Sequence, residues 1–433
     1  MAVSELIDLD KPQQAGLDKC VHCGLCLNAC PTYRELRVEM DSPRGRIYQM
    51  AQVASGAAGI SASYVEHIGL CLACRGCESA CPSGVEYGRL VEVARADIES
   101  HIRRPWHVRL LRHIFFRKLL PSRFNLGVLG ALLYCYQRSG VQKLVRMLGA
   151  LPGKLRDMEE LAPDVEAPWF FRYYGKTMPA QDAGRYRVAF LGGCIANISF
   201  ARLNEATVRV LQKNGCTVFI PKMQTCCGAL HVHAGLRDDA RKLARRNIDA
   251  LLEGDYDAIV TNAAGCGSTL KEYHELLEHD PAYADKARRF SALVKDVNEF
   301  LASIELNPNM RALPITVTYQ DSCHLAHGQR IRSAPRKLLD SIPALEFRQM
   351  QLSDLCCGSA GIYNVVHTEM AMALLRKKMD SINATGAQVV ATANPGCMLQ
   401  LRAGVRKFGR GQRVAHVVEL LDEAYETGVH EKP

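Results

Sequence analysis

Eight of the chain's 18 cysteines fall between positions 20 and 81, in two copies of one pattern. The first copy is Cys20-x2-Cys23-x2-Cys26-x3-Cys30, followed by Pro31. The second is Cys71-x2-Cys74-x2-Cys77-x3-Cys81, followed by Pro82. At this cysteine frequency one such quartet arises by chance in roughly one chain per thousand of this length; two copies do not. The spacing constrains the metal. Three thiols at x2 steps can wrap a tight loop around three corners of a [4Fe–4S] cube, but a local loop does not reach the far corner. In the bacterial two-cluster arrangement the fourth cysteine of each run ligates the other cluster. The expected sets are therefore Cys20, Cys23, Cys26 and Cys81, and Cys71, Cys74, Cys77 and Cys30. Structural zinc favours paired CxxC units separated by a longer span, and four cysteines within eleven residues fit that poorly. Gly24 and Gly76 are expected to let the backbone approach the sulfides. Between the runs, Ser42 reads as an N-cap with Pro43 at N1 of a helix. Arg44 and Arg46 follow, either touching a cluster edge or a partner, or lying on a solvated first turn.

Eight further cysteines form a second repeat. Cys194, the Cys226-Cys227-Gly228 triplet and Cys266 match Cys323, the Cys356-Cys357-Gly358 triplet and Cys397, with gaps of 31 and 32, then 38 and 39 residues. Such a period signals duplicated units. β-branched runs alternate with helical stretches, as in Arg202–Lys213 (helix) and Thr217–Pro221 (strand), which predicts βαβ units and a parallel sheet in each half. The cysteines fall after strand ends, where open α/β sheets place their ligand sites. A metal or redox role is the favoured reading, against small buried residues that pack helix on strand. Cys135 and Cys216 have no repeat mate and read as packing residues. His231, His233, His324 and His327 lie close enough in sequence to the repeat cysteines to supply a base or ligand.

Charge separates the parts. Residues 103–156 carry twelve basic residues, Lys154 and Arg156 among them, and no Asp or Glu, whereas the whole chain has a net charge of +9. Outside that stretch acids outnumber bases, which argues against a general nucleic-acid binder. Val108, Leu111, Phe115 and Leu119 lie at helical spacing beside a basic stripe. That pattern fits a helix on an anionic membrane surface or a linker packed between domains. Phe124–Tyr136 is apolar but too short to span a bilayer. The N-terminus carries acids and no apolar core, so no secretory signal is expected. Gly192-Gly193 is too little for a dinucleotide phosphate loop.

Cys20–Tyr33, together with Ser42-Pro43-Arg44-Gly45-Arg46-Ile47, closely resembles the iron–sulfur subunits of glycolate oxidase, and the second repeat resembles their cysteine-rich CCG domain. The resemblance covers nearly the whole chain. It implies an α+β protein: an α-helical two-cluster ferredoxin-like domain (1–100), a basic helical linker or membrane- or partner-docking segment (101–184), and two α/β CCG repeats with parallel sheets (185–310 and 311–433). It implies two [4Fe–4S] clusters, leaves a further cluster in the repeats open, and places FAD only on partner flavoprotein subunits. Electrons would pass from the reduced flavin towards a membrane quinone. No catalytic residue is expected here, and a cytoplasmic location is, either free or peripheral on the inner face of the membrane. The related repeats of heterodisulfide reductase each carry a fifth cysteine; here those positions are Thr269 and Gln400. That departure disfavours a heterodisulfide-reductase-like reading. A D-lactate dehydrogenase iron–sulfur subunit is the nearer alternative, and a structural iron–sulfur scaffold the non-enzymatic one.

Overall fold

The computed structural model describes residues 13–425 except 150, 152, 154–158, 160–163 and 182–183. The first twelve residues of the N-terminal stretch, and Lys154 and Arg156 of the basic segment, lie outside the described residues.

The first cysteine-rich region is helical, with helices at Pro31–Leu36, Pro43–Ala54, Ala62–Gly69 and Tyr87–His101. Ser42 caps the second of these, its hydroxyl accepting from Gly45 N at 2.9 Å with Pro43 in the first turn, as the sequence predicts. Ile47, Met50, Ile68, Val91 and Ala94 form the local core, and Cys71 and Cys77 pack into it. Helical spacing along Tyr87–His101 puts Leu90, Val91, Ala94 and Ile98 on the buried side.

The linker runs through helices Trp106–His113, Arg123–Arg138 and Val141–Met147, with wide i→i+5 turns over Ile114–Leu119. The expected stripe of Val108, Leu111, Phe115 and Leu119 is not the buried one. Phe116 and Leu120 are buried, and Leu111 is 66% exposed. The wide turn, marked by Leu120 N donating to Phe115 O at 3.0 Å, adds a residue and rotates the inward face by one position. No described helix is long and apolar enough to cross a membrane.

The second half contains two sheets. In the first, β1 (Thr177–Met178), β2 (Tyr186–Phe190), β3 (Cys216–Phe219), β4 (Ala258–Thr261) and β5 (Val294–Asp296) stand in the order β1-β3-β2-β4-β5. Only β1 is antiparallel; it pairs with β3, Thr177 opposite Phe219. In the second, β6 (Thr316–Tyr319), β7 (Glu346–Phe347), β8 (Val389–Thr392) and β9 (Arg413–His416) stand in the order β7-β6-β8-β9, all parallel. Apart from β1 the two orders are the same, as duplication requires. Registers correspond: Val188 pairs with Ala258, and Val317 with Val389. The repeats share one apolar core, built from Val188, Phe190, Val260, Val317, Val390 and Leu420. Arg209 and Asp422 tie them together with two hydrogen bonds, at 3.1 and 2.5 Å.

Candidate iron–sulfur sites

The two N-terminal cysteine runs fold into loops of one shape. His22 and Gly24 have φ of 53° and 83°; Ala73 and Arg75, at the same places in the second run, have 50° and 61°. Two left-handed residues per loop turn the backbone around the thiols and aim amide N–H groups inward, as in anion-binding nests. Ala73 N accordingly donates to Cys71 Sγ at 3.3 Å. A Cβ at Gly24 would stand 2.8 Å from the Arg44 guanidinium, and one at Gly76 3.1 Å from Ala29 O.

The loops enclose two adjoining cavities. Cys20, Cys23, Cys26 and Cys81 line the first, with Ile47, Val85 and Arg44. Cys30, Cys71, Cys74 and Cys77 line the second, with Leu72, Pro31 and Arg46. Cys77, Pro43 and Tyr87 form the wall between them. Each cavity thus draws thiols from both runs, with Cys77 lining both. Cys23 is exposed and Cys30, Cys71 and Cys77 are buried, so the thiols of the first cavity lie nearer the surface than those of the second. Burial pushes the Cys26 thiol up to about 11 and those of Cys74 and Cys77 well above their usual range. Among the described residues no acidic side chain lines either cavity. Among the described residues no three His, Cys, Asp or Glu side chains converge on a single-ion site. Four sulfur donors, inward amides and cationic walls fit an anionic iron–sulfur cluster in each cavity.

The repeat cysteines gather at the carboxyl ends of the parallel strands. Cys194 follows β2, Cys226 and Cys227 follow β3, and Cys266 opens the helix after β4. Their thiols form a contact chain, Cys194 to Cys226 to Cys227 to Cys266, with Cys227 Sγ 3.0 Å from Cys266 Sγ. The second repeat repeats the chain as Cys323, Cys356, Cys357 and Cys397. Contact with Cys226 and burial push the Cys194 thiol well above its usual range, and contact with Cys357 and burial do the same to Cys397. The glycine of each triplet is required. Gly228 and Gly358 have φ of 84° and 89°, and a Cβ at Gly358 would meet Ala371 O at 2.5 Å.

The two repeat sites have different neighbours. Phe116 and Leu120 of the linker cover the first, packing with Cys194 and Cys226. The second adjoins the second N-terminal cavity: Leu72 and Cys74 share an apolar cluster with Cys323, Cys356 and Tyr363. Tyr363 Oη donates to Leu70 O at 3.0 Å. Lys378 is buried beside the second thiol chain, its ammonium donating to Leu352 O at 2.7 Å and Ser353 O at 3.1 Å. Asn394 Nδ2 lies 3.5 Å from Cys397 Sγ. Sequence patterning singles out neither residue, although Lys378 interrupts the apolar stripe Ala371-Leu374-Leu375-Met379-Ile382, which is the one available signal.

The histidines mostly join domains. His231 Nε2 bonds Phe116 O at 2.8 Å, and His233 Nδ1 lies 3.3 Å from Glu92. The His233 and His324 rings stack at 5.2 Å. His324 Nδ1 is 3.8 Å from Cys323 Sγ, and His327 bonds Ser79 and Asp354 O. Arg44 braces the first loop, donating to His22 O at 3.0 Å while pairing with Glu39. Cys216 is a core residue as expected; Cys135 is not, because it lies on the exposed side of its helix. Thr269 and Gln400 point their side chains at backbone carbonyls, Gly265 O at 3.4 Å and Ala371 O at 3.5 Å.

A chain that interleaves two cysteine quartets around paired cavities is an iron–sulfur protein. Comparison with known proteins narrows the class. A 4Fe–4S dicluster domain matches residues 16–85, the linker region of the glycolate oxidase iron–sulfur subunit matches 107–162, and the cysteine-rich domain matches 188–271 and 317–402. The chain is 41% identical over 423 residues to the probable glycolate oxidase iron–sulfur subunit of Bacillus subtilis, covering 96% of this chain and 95% of that protein. It is 33% identical over 418 residues to the glycolate oxidase iron–sulfur subunit of Escherichia coli, covering 95% and 94%. Lactate utilization protein A of Oceanobacillus iheyensis is 27% identical over 247 residues, 56% of this chain and 99% of that protein. The chain belongs to the family of glycolate oxidase iron–sulfur subunits.

Proposed function

We propose that the chain is the electron-transferring subunit of a flavin-dependent 2-hydroxyacid oxidase of the glycolate type. The observation that carries this reading is the pair of adjoining thiol-lined cavities, the first nearer the surface. In it Cys20, Cys23, Cys26 and Cys81 hold one [4Fe–4S] cluster, and Cys71, Cys74, Cys77 and Cys30 the other. When bound, the clusters supply one-electron steps that a flavin hydroquinone can feed. The protein's own part is to bury, orient and insulate. Cys77 and Tyr87 keep the cavities a single wall apart. Leu72 and Cys74 carry the contact onward to Cys323 and Cys356, so the second repeat is the next station if its thiols hold metal. Substrate oxidation and FAD belong to partner flavoproteins, because the chain has no dinucleotide fingerprint of its own.

The linker supports a peripheral contact with the inner face of the membrane, where a quinone would accept the electrons. Its basic residues are interleaved with exposed Trp106, Leu110, Leu111, Phe124, Leu132 and Met147, a combination suited to an anionic interface. In this reading residues 1–100 are the dicluster domain, 101–184 the docking segment, and 185–310 and 311–433 the two repeats.

The test is anaerobic purification of the tagged chain from its own cells. A stoichiometric FAD-containing partner is expected, with EPR signals of reduced clusters appearing on addition of glycolate. A partner-free chain, or clusters that D-lactate reduces and glycolate does not, contradicts the glycolate assignment.

A further inference from the structure

Arg46 is 1% exposed and lines the second cavity only. All three guanidinium nitrogens are engaged. Nε donates to His67 O at 2.7 Å, and one terminal nitrogen pairs with Asp41 Oδ1 at 3.3 Å. The other donates to Thr32 Oγ1 at 3.1 Å and lies 4.0 Å from Cys30 Sγ. Thr32 Oγ1 is itself 3.2 Å from Cys30 Sγ and donates to Asp41 O at 2.9 Å. Three chain segments thus fix a permanent positive charge beside Cys30 and facing Cys71. A guanidinium does not deprotonate in a protein, so the charge is present at every working pH. Its counter-charge is also buried: Asp41 is 4% exposed and sits on the nitrogen farther from the sulfur.

The other arginine of the motif is placed differently. Arg44 pairs with Glu39 at 2.6 Å, with side-chain exposures of 30% and 47%, so solvent screens that charge. The two adjoining cavities therefore differ in their fixed fields.

We propose that Arg46 raises the reduction potential of the cluster held by Cys30, Cys71, Cys74 and Cys77, acting beside Cys30 and Cys71 as a positioning and charge-setting residue. Reduction adds one electron to the cluster; no bond forms or breaks. The reduced state is one unit more negative, so a buried cation and a donor near a ligating sulfur favour it. Asp41 works in the opposite sense and limits the effect. The proposal rests on the ligand reading given above.

The experiment is an EPR-monitored redox titration of the intact chain, purified anaerobically, with the second cluster's signal identified by its loss in Cys74→Ser. In Arg46→Gln, the reduction equilibrium of the second cluster is expected to fall at least tenfold, about 59 mV for one electron, with the first cluster unmoved. Arg46→Lys is expected to keep most of the potential. Asp41→Asn is expected to move the same cluster upward. A merely structural role moves Arg46→Gln and Asp41→Asn in one direction, since both loosen the same packing. Equal signs, or less than a twofold change in both, overturn the proposal. If Arg46→Gln does not retain the cluster, Asp41→Asn and Arg46→Lys decide on the same criteria. Iron and sulfide content of the wild-type chain tests the ligand reading separately.

Discussion

His327 Nδ1 accepts a hydrogen bond from Ser79 Oγ at 2.8 Å while its Nε2 donates to Asp354 O at 3.0 Å. Ser79 lies between the ligand candidates Cys77 and Cys81, and Asp354 precedes Cys356 and Cys357. One imidazole therefore clamps the second N-terminal loop to the second repeat, in the neutral form with the proton on Nε2. Burial holds its pKa below the ordinary histidine value, which favours that form.

Replacing His327 by Ala removes these two bonds and the one that Arg332 Nη2 donates to Nδ1 at 3.1 Å, and leaves the Asp354 carbonyl without this donor. The expected loss is about 1–3 kcal/mol, read as a lower urea midpoint of the anaerobic protein. Ser79→Ala removes one bond only and is expected to cost less. Equal midpoints for wild type and His327→Ala would show that the clamp contributes nothing.

His416 supplies a pH dependence. Its Nδ1 accepts from Val418 N at 3.1 Å, capping the last helix, and burial lowers its pKa to about 4. The unfolded chain protonates near 6.5 while the folded chain resists, so stability falls as the pH drops through that window. Between pH 7 and pH 5 this amounts to about 2 kcal/mol. Buried Glu419, raised to about 7, acts with the opposite sign, losing stability as the pH rises from 4.5. His416→Asn keeps a capping acceptor without the titration. Unfolding curves at pH 7 and pH 5 should therefore show wild type losing about 2 kcal/mol more than the variant. Parallel losses would sink this assignment.

Lys378 is expected to matter at the second repeat alone. Lys378→Met removes one of two donors from each of the Leu352 and Ser353 carbonyls, which keep the amides of Leu355 and Asp321. It also removes a buried cation whose charge acts on Cys357 and Cys356. A destabilisation of about 1–3 kcal/mol is expected, measured by urea unfolding. If the second thiol chain holds metal, iron content falls as well. Asn247, the corresponding position in the first repeat, is uncharged and ties down the backbone there, accepting from Thr225 N at 2.8 Å and donating to Cys226 O at 3.0 Å.

Much of this was legible in the sequence because it is local. The two cysteine runs fold around two adjoining cavities, each drawing thiols from both runs. The repeat spacing and β-branched runs yield two sheets of matching strand order, and Ser42 caps its helix. What was not legible depends on distant neighbours. No local pattern reveals that Cys74 packs near Cys356 while Phe116 covers Cys194, since these contacts span hundreds of residues or a separate linker. The wide turn at Ile114–Leu119 shifts the buried face by one residue, which a 3.6-residue period does not anticipate. Cys135 reads as a packing residue by type, but its helix turns it outward.

The central claim is that interleaved quartets hold two clusters. Anaerobic iron and acid-labile sulfide counting on the purified chain, with EPR of the reduced protein, tests it most directly. At least about eight irons with matching sulfide are expected, and Cys23→Ser and Cys74→Ser should each remove a different cluster signal. Irons beyond eight that survive both changes together place metal in the repeats. Zinc without sulfide, or one signal lost equally in both variants, would contradict the account.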